Sequence, residues 1–447
     1  MKKRITAVLL MLCCMLSLIL PLAAEETAAE EETGILPPPE LQNVDAAVVY
    51  NIENDRYIFE QDADKIIYPA STVKLMTAIV AIEYFDGRLD HEVTVPGGAL
   101  IGIKGNAVGL RRNEVLTVEQ LLWALITGCA NDAATVLAWE IAGSVEAFVP
   151  LMNAKAKELG ANHTVYMNPT GMHHPKMVTT ARDTAIISTY ALKLAPIADM
   201  ASVEKYVMEA TNKVGSRTIF NKNYYFATNM EYLYIWKIPR GLNAGYTAEG
   251  GWCVSTSATR GGLTYIVVVM GAKDDGKYIY SYTEAADLIK WAFNGYAYTN
   301  VLTTSDMICE VPVRLASRVD YVTLFPSQNV ELYLPTGIDT KKDIHLEWTL
   351  LEDTMTAPIR EGQVAGELSI TYNGTDLGTY TLVTRNSVSR NNVLYVLDVV
   401  REFLHSATFR SLLAVVVIMA AAYIAVVIFV RVRRNRRSAP PVQYRRR

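Results

Sequence analysis

Ser71 and Lys74 stand three residues apart in the stretch Tyr68-Pro69-Ala70-Ser71-Thr72-Val73-Lys74. On a helix that spacing places both side chains on one face. A lysine amine so placed can take the hydroxyl proton and turn the serine oxygen into a nucleophile. It acts as a base only when neutral, so burial must lower its pKa. The apolar run that follows, Leu75-Met76-Thr77-Ala78-Ile79-Val80, can bury it. Spacing alone carries little weight, because Ser202 and Lys205 share it without any such context. A serine at a helix start also has a backbone N–H free for an oxyanion. The chemistry on offer is acyl transfer through a serine ester, which further requires oxyanion donors and an anchor for the substrate.

The elements that must position this pair follow from the pattern around it. Ala46–Tyr50 and Arg56–Glu60 alternate as two strands joined by a turn at Glu53-Asn54-Asp55. Thr72 to Tyr84 has helical spacing and ends at Asp86-Gly87. Thr117 to Gly128 opens with Thr117 and Gln120, a capping box. Asn131 to Ala142, Val145 to Leu159 (closed by Gly160) and Thr180 to Leu194 read as further helices. Strands return at Trp252–Ser257 and Thr264–Met270, the second apolar throughout and so central, and Thr283–Phe293 closes the block as a helix. This order predicts an α+β domain over 43–298, an antiparallel sheet whose first and last strands meet around a helical lobe. From 299 to 388 short alternating runs separated by turns, such as Asn373-Gly374, predict a second, all-β domain with no cluster that suggests chemistry.

The ends read differently. Lys2, Lys3 and Arg4 precede an uncharged run to Ala24, the pattern of a signal peptide over 1–24, although Leu22 is imperfect for cleavage and an uncleaved anchor is the alternative. Residues 25–42 are acidic and then proline-bearing, a linker. Residues 389–410 read as a juxtamembrane amphipathic helix. Ser411 to Val430 carries no charge, and at 1.5 Å per residue about 20 residues span roughly the 30 Å of a bilayer core. The arginine-rich tail 431–447 then predicts one C-terminal transmembrane helix with its tail in the cytoplasm and the main domains outside.

A net charge of -4, with the basic residues gathered in the tail, argues against a nucleic-acid partner. Of the five cysteines, Cys13 and Cys14 fall in the leader, and Cys129, Cys253 and Cys309 form neither a disulfide framework nor a metal pattern. No cofactor or metal is called for.

With Ser71/Lys74 in place, other stretches fall into line: Asn131-Asp132-Ala133-Ala134, Ala147 to Gly160, Asn168-Pro169-Thr170-Gly171 and Thr180-Ala181-Arg182-Asp183. Together they resemble the serine-type D-alanyl-D-alanine carboxypeptidases, the low-molecular-mass penicillin-binding proteins, over roughly residues 41–410. The resemblance implies a penicillin-recognising, transpeptidase/β-lactamase-like fold with an appended β domain. It also implies a bacterial cell membrane location, peptidoglycan stem peptides as substrate and β-lactams as acylating inhibitors. Ser71, Lys74, Cys129 and Asn131 are the implied catalytic residues. The resemblance further implies an oxyanion hole at the N–H groups of Ser71 and Tyr246, and substrate binding by Asn243, Ala244, Gly245 and Thr247.

The departures are specific. Where the family has serine in its S-x-N motif this chain has Cys129-Ala130-Asn131, and where it has K-T-G this chain has Asn243-Ala244-Gly245. In the family that lysine and threonine hold the substrate's terminal carboxylate. Two classes of function therefore stand: a carboxypeptidase working through acyl-Ser71, and a peptidoglycan-binding or scaffolding relative without turnover. A β-lactamase is a third, less suited to a membrane-tethered chain with a β domain. A Cys129 mechanism lacks a paired histidine, since His163, His173 and His174 fall in a loop expected to pack locally. The aromatics Tyr224-Tyr225-Phe226 and Tyr232–Trp236 either line the groove or pack.

Overall fold

Strand alternation explains the centre of the larger unit. In β9 (Leu263–Ala272) Ile266, Val268 and Met270 point to one face and Tyr265, Val267 and Val269 to the other, and all six are fully buried. A strand covered on both faces has no polar side, hence its continuous apolar run. β1 (Ala46–Asn51) pairs antiparallel with it, Ala47 opposite Val269, so the start and end of the unit meet as expected.

The computed structural model describes residues 35–226 and 239–437. The leader, the linker's first part (25–34), Tyr232–Trp236 and the end of the basic tail lie outside the described residues. The chain divides into two units, one of residues 1–297 with 333–338, the other of 298–332 with 339–447.

In the first unit β1, β2 (Arg56–Gln61), β7 (Asn243–Thr247), β8 (Gly251–Arg260) and β9 form a five-stranded antiparallel sheet in the order β2-β1-β9-β8-β7. Two hairpins stand apart, β3 (Glu92–Thr94) with β4 (Val115–Thr117) and β5 (Lys205–Met208) with β6 (Arg217–Phe220). The helices are α1 (Val73–Tyr84), α2 (Val118–Ile126), α3 (Asn131–Ala142), α4 (Val145–Glu158), α5 (Ala181–Lys193), α6 (Ala195–Ala201) and α7 (Tyr280–Gly295). α7 covers one face of the sheet with Leu288, Ile289 and Ala292 against Val49, Val254 and Val267. The helical lobe shares one core with the other face, joining Val48, Val268 and Met270 to Met76, Ile79, Leu121, Leu125 and Val136. α1 runs through this core with ten of its residues buried, which is why its sequence is apolar all round.

The capping box at α2 is present, with Thr117 and Gln120 bonding reciprocally, and Gly160 takes φ +87° just past α4. Glu114 is fully buried, so it needs a partner. It finds Arg217 of β6, whose guanidinium pairs with it, and also accepts from Thr211 Oγ1 at 2.8 Å.

The second unit is a six-stranded sheet in the order β14-β16-β17-β12-β11-β15, comprising β11 (Cys309–Arg314), β12 (Tyr321–Pro326), β14 (Ile344–Leu350), β15 (Met355–Thr356), β16 (Val364–Tyr372) and β17 (Thr375–Thr384). Asn373 and Gly374, both at positive φ, make the turn between β16 and β17. The expected helix at 389–410 is shorter, Asn392–His405 (α8), capped by Asn391 and ending at Ser406, whose backbone leaves helical geometry. α9 (Ala407–Arg437) follows and is long and apolar enough to cross a membrane.

Candidate active site

Ser71 occupies a 3₁₀ turn, Ala70–Thr72, that leads into α1. Lys74 lies one turn on, 1% exposed, with Nζ 3.1 Å from Ser71 Oγ and within hydrogen-bond distance of the Thr170 carbonyl. A neutral amine has two protons and one lone pair. Donating to Thr170 O leaves the lone pair for the Ser71 hydroxyl, the arrangement a general base requires. Burial pushes the Lys74 pKa down, opposed by its contact with the Cys129 thiol.

The Thr170 carbonyl is itself fixed. Asn168 Oδ1 accepts from the N–H of Thr170 and Gly171 and from the Thr170 hydroxyl, and Thr77 of α1 donates to Pro169 O at 2.8 Å. Gly171 is required there: its φ is +81°, and a β-carbon would stand 2.0 Å from Ala70 O.

Cys129 precedes α3 with φ +51° and directs its thiol to Ala244 O at 3.9 Å. Ala70, beside Ser71, is also left-handed, at φ +46°. Each costs about 1–2 kcal/mol in an L-residue, and strain of this kind gathers at functional sites. Asn131, 4% exposed, donates to Lys104 O at 2.6 Å, while its Oδ1 has no partner among the described residues. Asp132 accepts from the N–H of Val108, Gly109 and Leu110, which ties that loop to the start of α3, next to Cys129-Ala130-Asn131.

β7 forms the opposite wall. A β-carbon on Gly245 would lie 2.4 Å from Ser71 Cβ and 2.8 Å from its N and Oγ, so only glycine allows this approach. Tyr246, 51% exposed, packs on Trp252 with ring centroids 4.8 Å apart. Asn243 sits back from the cavity, 3% exposed, its Nδ2 unpartnered among the described residues. Thr247 Oγ1 accepts from Gly250 N–H at 2.9 Å and shapes the β7–β8 turn.

The result is a cavity of 290 Å³ that brings together Ser71, Cys129, Asn131, Ala244, Gly245 and Tyr246, with Lys74 behind Ser71 and Asn243 and Thr247 outside the lining. It also holds Lys222, which sequence reasoning missed. No motif marks that lysine; it reaches the site only because the β6 hairpin returns there. Tyr224 lines the cavity, whereas Tyr225 is core, its hydroxyl donating to Tyr282 O. His173 packs not within its own loop, as expected, but edge-on against Tyr68 of the segment before Ser71, with Nδ1 3.8 Å from a Glu249 carboxylate oxygen. Ser202 and Lys205 share no helix, since Lys205 begins β5.

A five-stranded antiparallel sheet with a helical lobe, a lysine-backed serine and a separate β unit define a protein of the penicillin-binding fold. The family model for D-alanyl-D-alanine carboxypeptidases matches residues 35–274, and that for the C-terminal domain of penicillin-binding protein 5 matches residues 296–390. The chain belongs to the D-alanyl-D-alanine carboxypeptidase family. It is 27% identical to the D-alanyl-D-alanine carboxypeptidase DacF of Bacillus subtilis over 353 residues, 77% of this chain and 86% of that protein. It is likewise 27% identical to DacC of Escherichia coli over 363 residues, 78% of this chain and 86% of that one. The crystal structure of penicillin binding protein 5 from Haemophilus influenzae shares the fold, with a TM-score of 0.57 at 24% identity, covering 79% of this chain and 100% of that one.

Proposed function

We propose that this chain removes the terminal D-Ala of peptidoglycan stem peptides through an ester on Ser71. The observation that carries the reading is the buried Lys74 amine 3.1 Å from Ser71 Oγ, with its other hydrogen bond taken by Thr170 O. Lys74 accepts the hydroxyl proton, and Oγ attacks the carbonyl carbon of the penultimate D-Ala. The oxyanion is held by the N–H groups of Ser71 and Tyr246, which the close approach of Gly245 to Ser71 supports. The proton passes by way of Lys74 and Cys129 to the leaving nitrogen, assisted by Asn131. Water then cleaves the ester.

The anchor for the terminal carboxylate is altered, because Asn243 brings no charge and Ala244 no hydroxyl. Lys222, in the same cavity, supplies the cation. β-Lactams acylate the same serine. The altered anchor is the one observation favouring the second reading, a relative that binds peptidoglycan without turnover. The two separate on release of D-Ala from an acyl-D-Ala-D-Ala peptide by the full-length protein in detergent. Release that disappears in Ser71→Ala supports the enzyme; no release supports binding alone.

For the chain as a whole, we propose a leader over 1–24, a linker over 25–42 and a catalytic domain over 43–298. A β pedestal over 299–388, a juxtamembrane helix over 389–410, one membrane span at 411–430 and a cytoplasmic tail over 431–447 complete it. The long apolar helix α9 supports the anchor. Protease added to intact cells, with any outer envelope opened, should remove the domains before Arg410 and spare the tail.

A further inference from the structure

A second cavity, of 350 Å³, shares no lining residue with the active site. It lies between the β1–β2 hairpin and α5, and β1 is three strand spacings, about 14 Å, from β7. The pairing register shifts between Val49 and Tyr50, which sets Tyr50 opposite Tyr57, their ring centroids 4.9 Å apart. From α5 come Arg182, Ile186, Thr189, Tyr190 and Lys193, a stripe at helical spacing turned to the chamber rather than the core. The rings are held in place. The Tyr50 hydroxyl donates to Asp55, that of Tyr190 donates to Glu83, and the Arg182 guanidinium lies over Tyr57 at 4.8 Å. Arg182 is spent on Glu60 and Asp64. The other charges of the lining are one carboxylate, Asp55, and one amine, Lys193. Leu159 and Ile186 add an apolar patch. A small anion would meet Asp55, and a small cation would meet Lys193 and Arg182. An apolar group would leave this polar rim unpaired. A neutral ring with one C–H face, several hydroxyls and a methyl amide meets every part of the lining.

We propose that this chamber is a carbohydrate subsite for an N-acetylated amino sugar of the peptidoglycan glycan strand, apart from the site that handles the stem peptide. The C–H face of the sugar lies on the tyrosine rings, and the acetamido methyl on Leu159 and Ile186. The hydroxyls bond to Asp55, Thr189 and Lys193. Holding the strand here raises the local concentration of its stem peptides at Ser71. The proposal rests on the cell-wall part of the functional reading and needs no turnover.

The test titrates the full-length protein in detergent with the β-1,4-linked tetramer of N-acetylglucosamine, against the glucose tetramer of the same linkage. Thr189→Trp fills the chamber from α5, and Lys193→Ala, at an exposed position, removes one polar partner. The wild type should bind the acetylated tetramer about 10-fold or more tighter than the glucose tetramer. Thr189→Trp should abolish that binding, and Lys193→Ala should weaken it by about 10-fold, the worth of one charged hydrogen bond. Denaturant unfolding checks that both variants fold; should Thr189→Trp fail, Lys193→Ala carries the test. Both variants should lower D-Ala release from polymeric peptidoglycan by about 10-fold while leaving kcat/KM on a soluble acyl-D-Ala-D-Ala peptide within about twofold. No binding of the acetylated tetramer, equal binding of the two tetramers, or binding unchanged in the folded variants overturns the subsite and leaves acyl-Ser71 standing. Chamber-dependent binding without D-Ala release from any substrate supports the subsite and overturns turnover at Ser71.

Discussion

If Ser71 is the proposed nucleophile with Lys74 as its base, the protonation of Lys74 sets the rate of serine attack, and its environment fixes where that rate changes with pH. An ordinary lysine amine, at 10.5, is neutral in about one molecule in a thousand at pH 7.5, a handicap of about 4 kcal/mol. Lys74 is 1% exposed and meets a carbonyl, a hydroxyl and a thiol rather than a carboxylate. Desolvation therefore lowers its pKa and removes part of that handicap, while a thiolate at Cys129 would raise it again. Single-turnover acylation by a fluorescent penicillin should climb about tenfold per pH unit and level off well below 10.5. Cys129→Ser removes the ionisable thiol, so the climb should move to lower pH. Stability carries the same signature. The native state binds fewer protons than the unfolded chain between the lowered pKa and 10.5, so stability rises with pH there by about 1.4 kcal/mol per unit. Lys74→Met should lose that slope, with the difference between the two proteins read from denaturant unfolding across pH. A climb centred at 10.5 or above, or a stability slope unchanged in Lys74→Met, would refute the buried neutral amine.

Gly245→Ala places a carbon against Ser71, and acylation should fall by about 100-fold or more with unfolding little changed, since β7 is an edge strand. Lys222→Met should lower kcat/KM for a free-carboxylate peptide by about 10- to 100-fold, the worth of one charged hydrogen bond, with a much smaller effect on the corresponding amide. Asn243→Lys combined with Ala244→Thr should raise the acylation rate by about 10-fold if about 1.4 kcal/mol is regained. Slower acylation would show that the space around Asn243 suits another ligand.

What the sequence disclosed was local or periodic. Ser71 and Lys74 lie within one helical turn, the Thr117/Gln120 cap within four residues and Asn373-Gly374 within two, so each carries its own signature. β9 announces itself by being apolar at every position, which only a strand covered on both faces tolerates. The hairpin of Glu92–Thr94 with Val115–Thr117 escaped notice because three-residue strands more than twenty residues apart leave no alternation to read. Lys222 and the Thr170 carbonyl reach the site through tertiary folding alone. Gly171 and Gly245 were visible as motif letters, but their purpose, a backbone pressed against Ala70 or Ser71, exists only in three dimensions. The left-handed Cys129 gave no signal, since cysteine has no preference for that conformation.

The central claim is that Ser71, activated by Lys74, is the nucleophile. The most direct measurement is the intact mass of the full-length protein after incubation with penicillin, followed by peptide mapping of the adduct. One penicillin per chain is expected, on Ser71, absent from Ser71→Ala and strongly reduced in Lys74→Met. An adduct on Cys129 or Ser202 that survives in Ser71→Ala, or no adduct at any concentration, would contradict it.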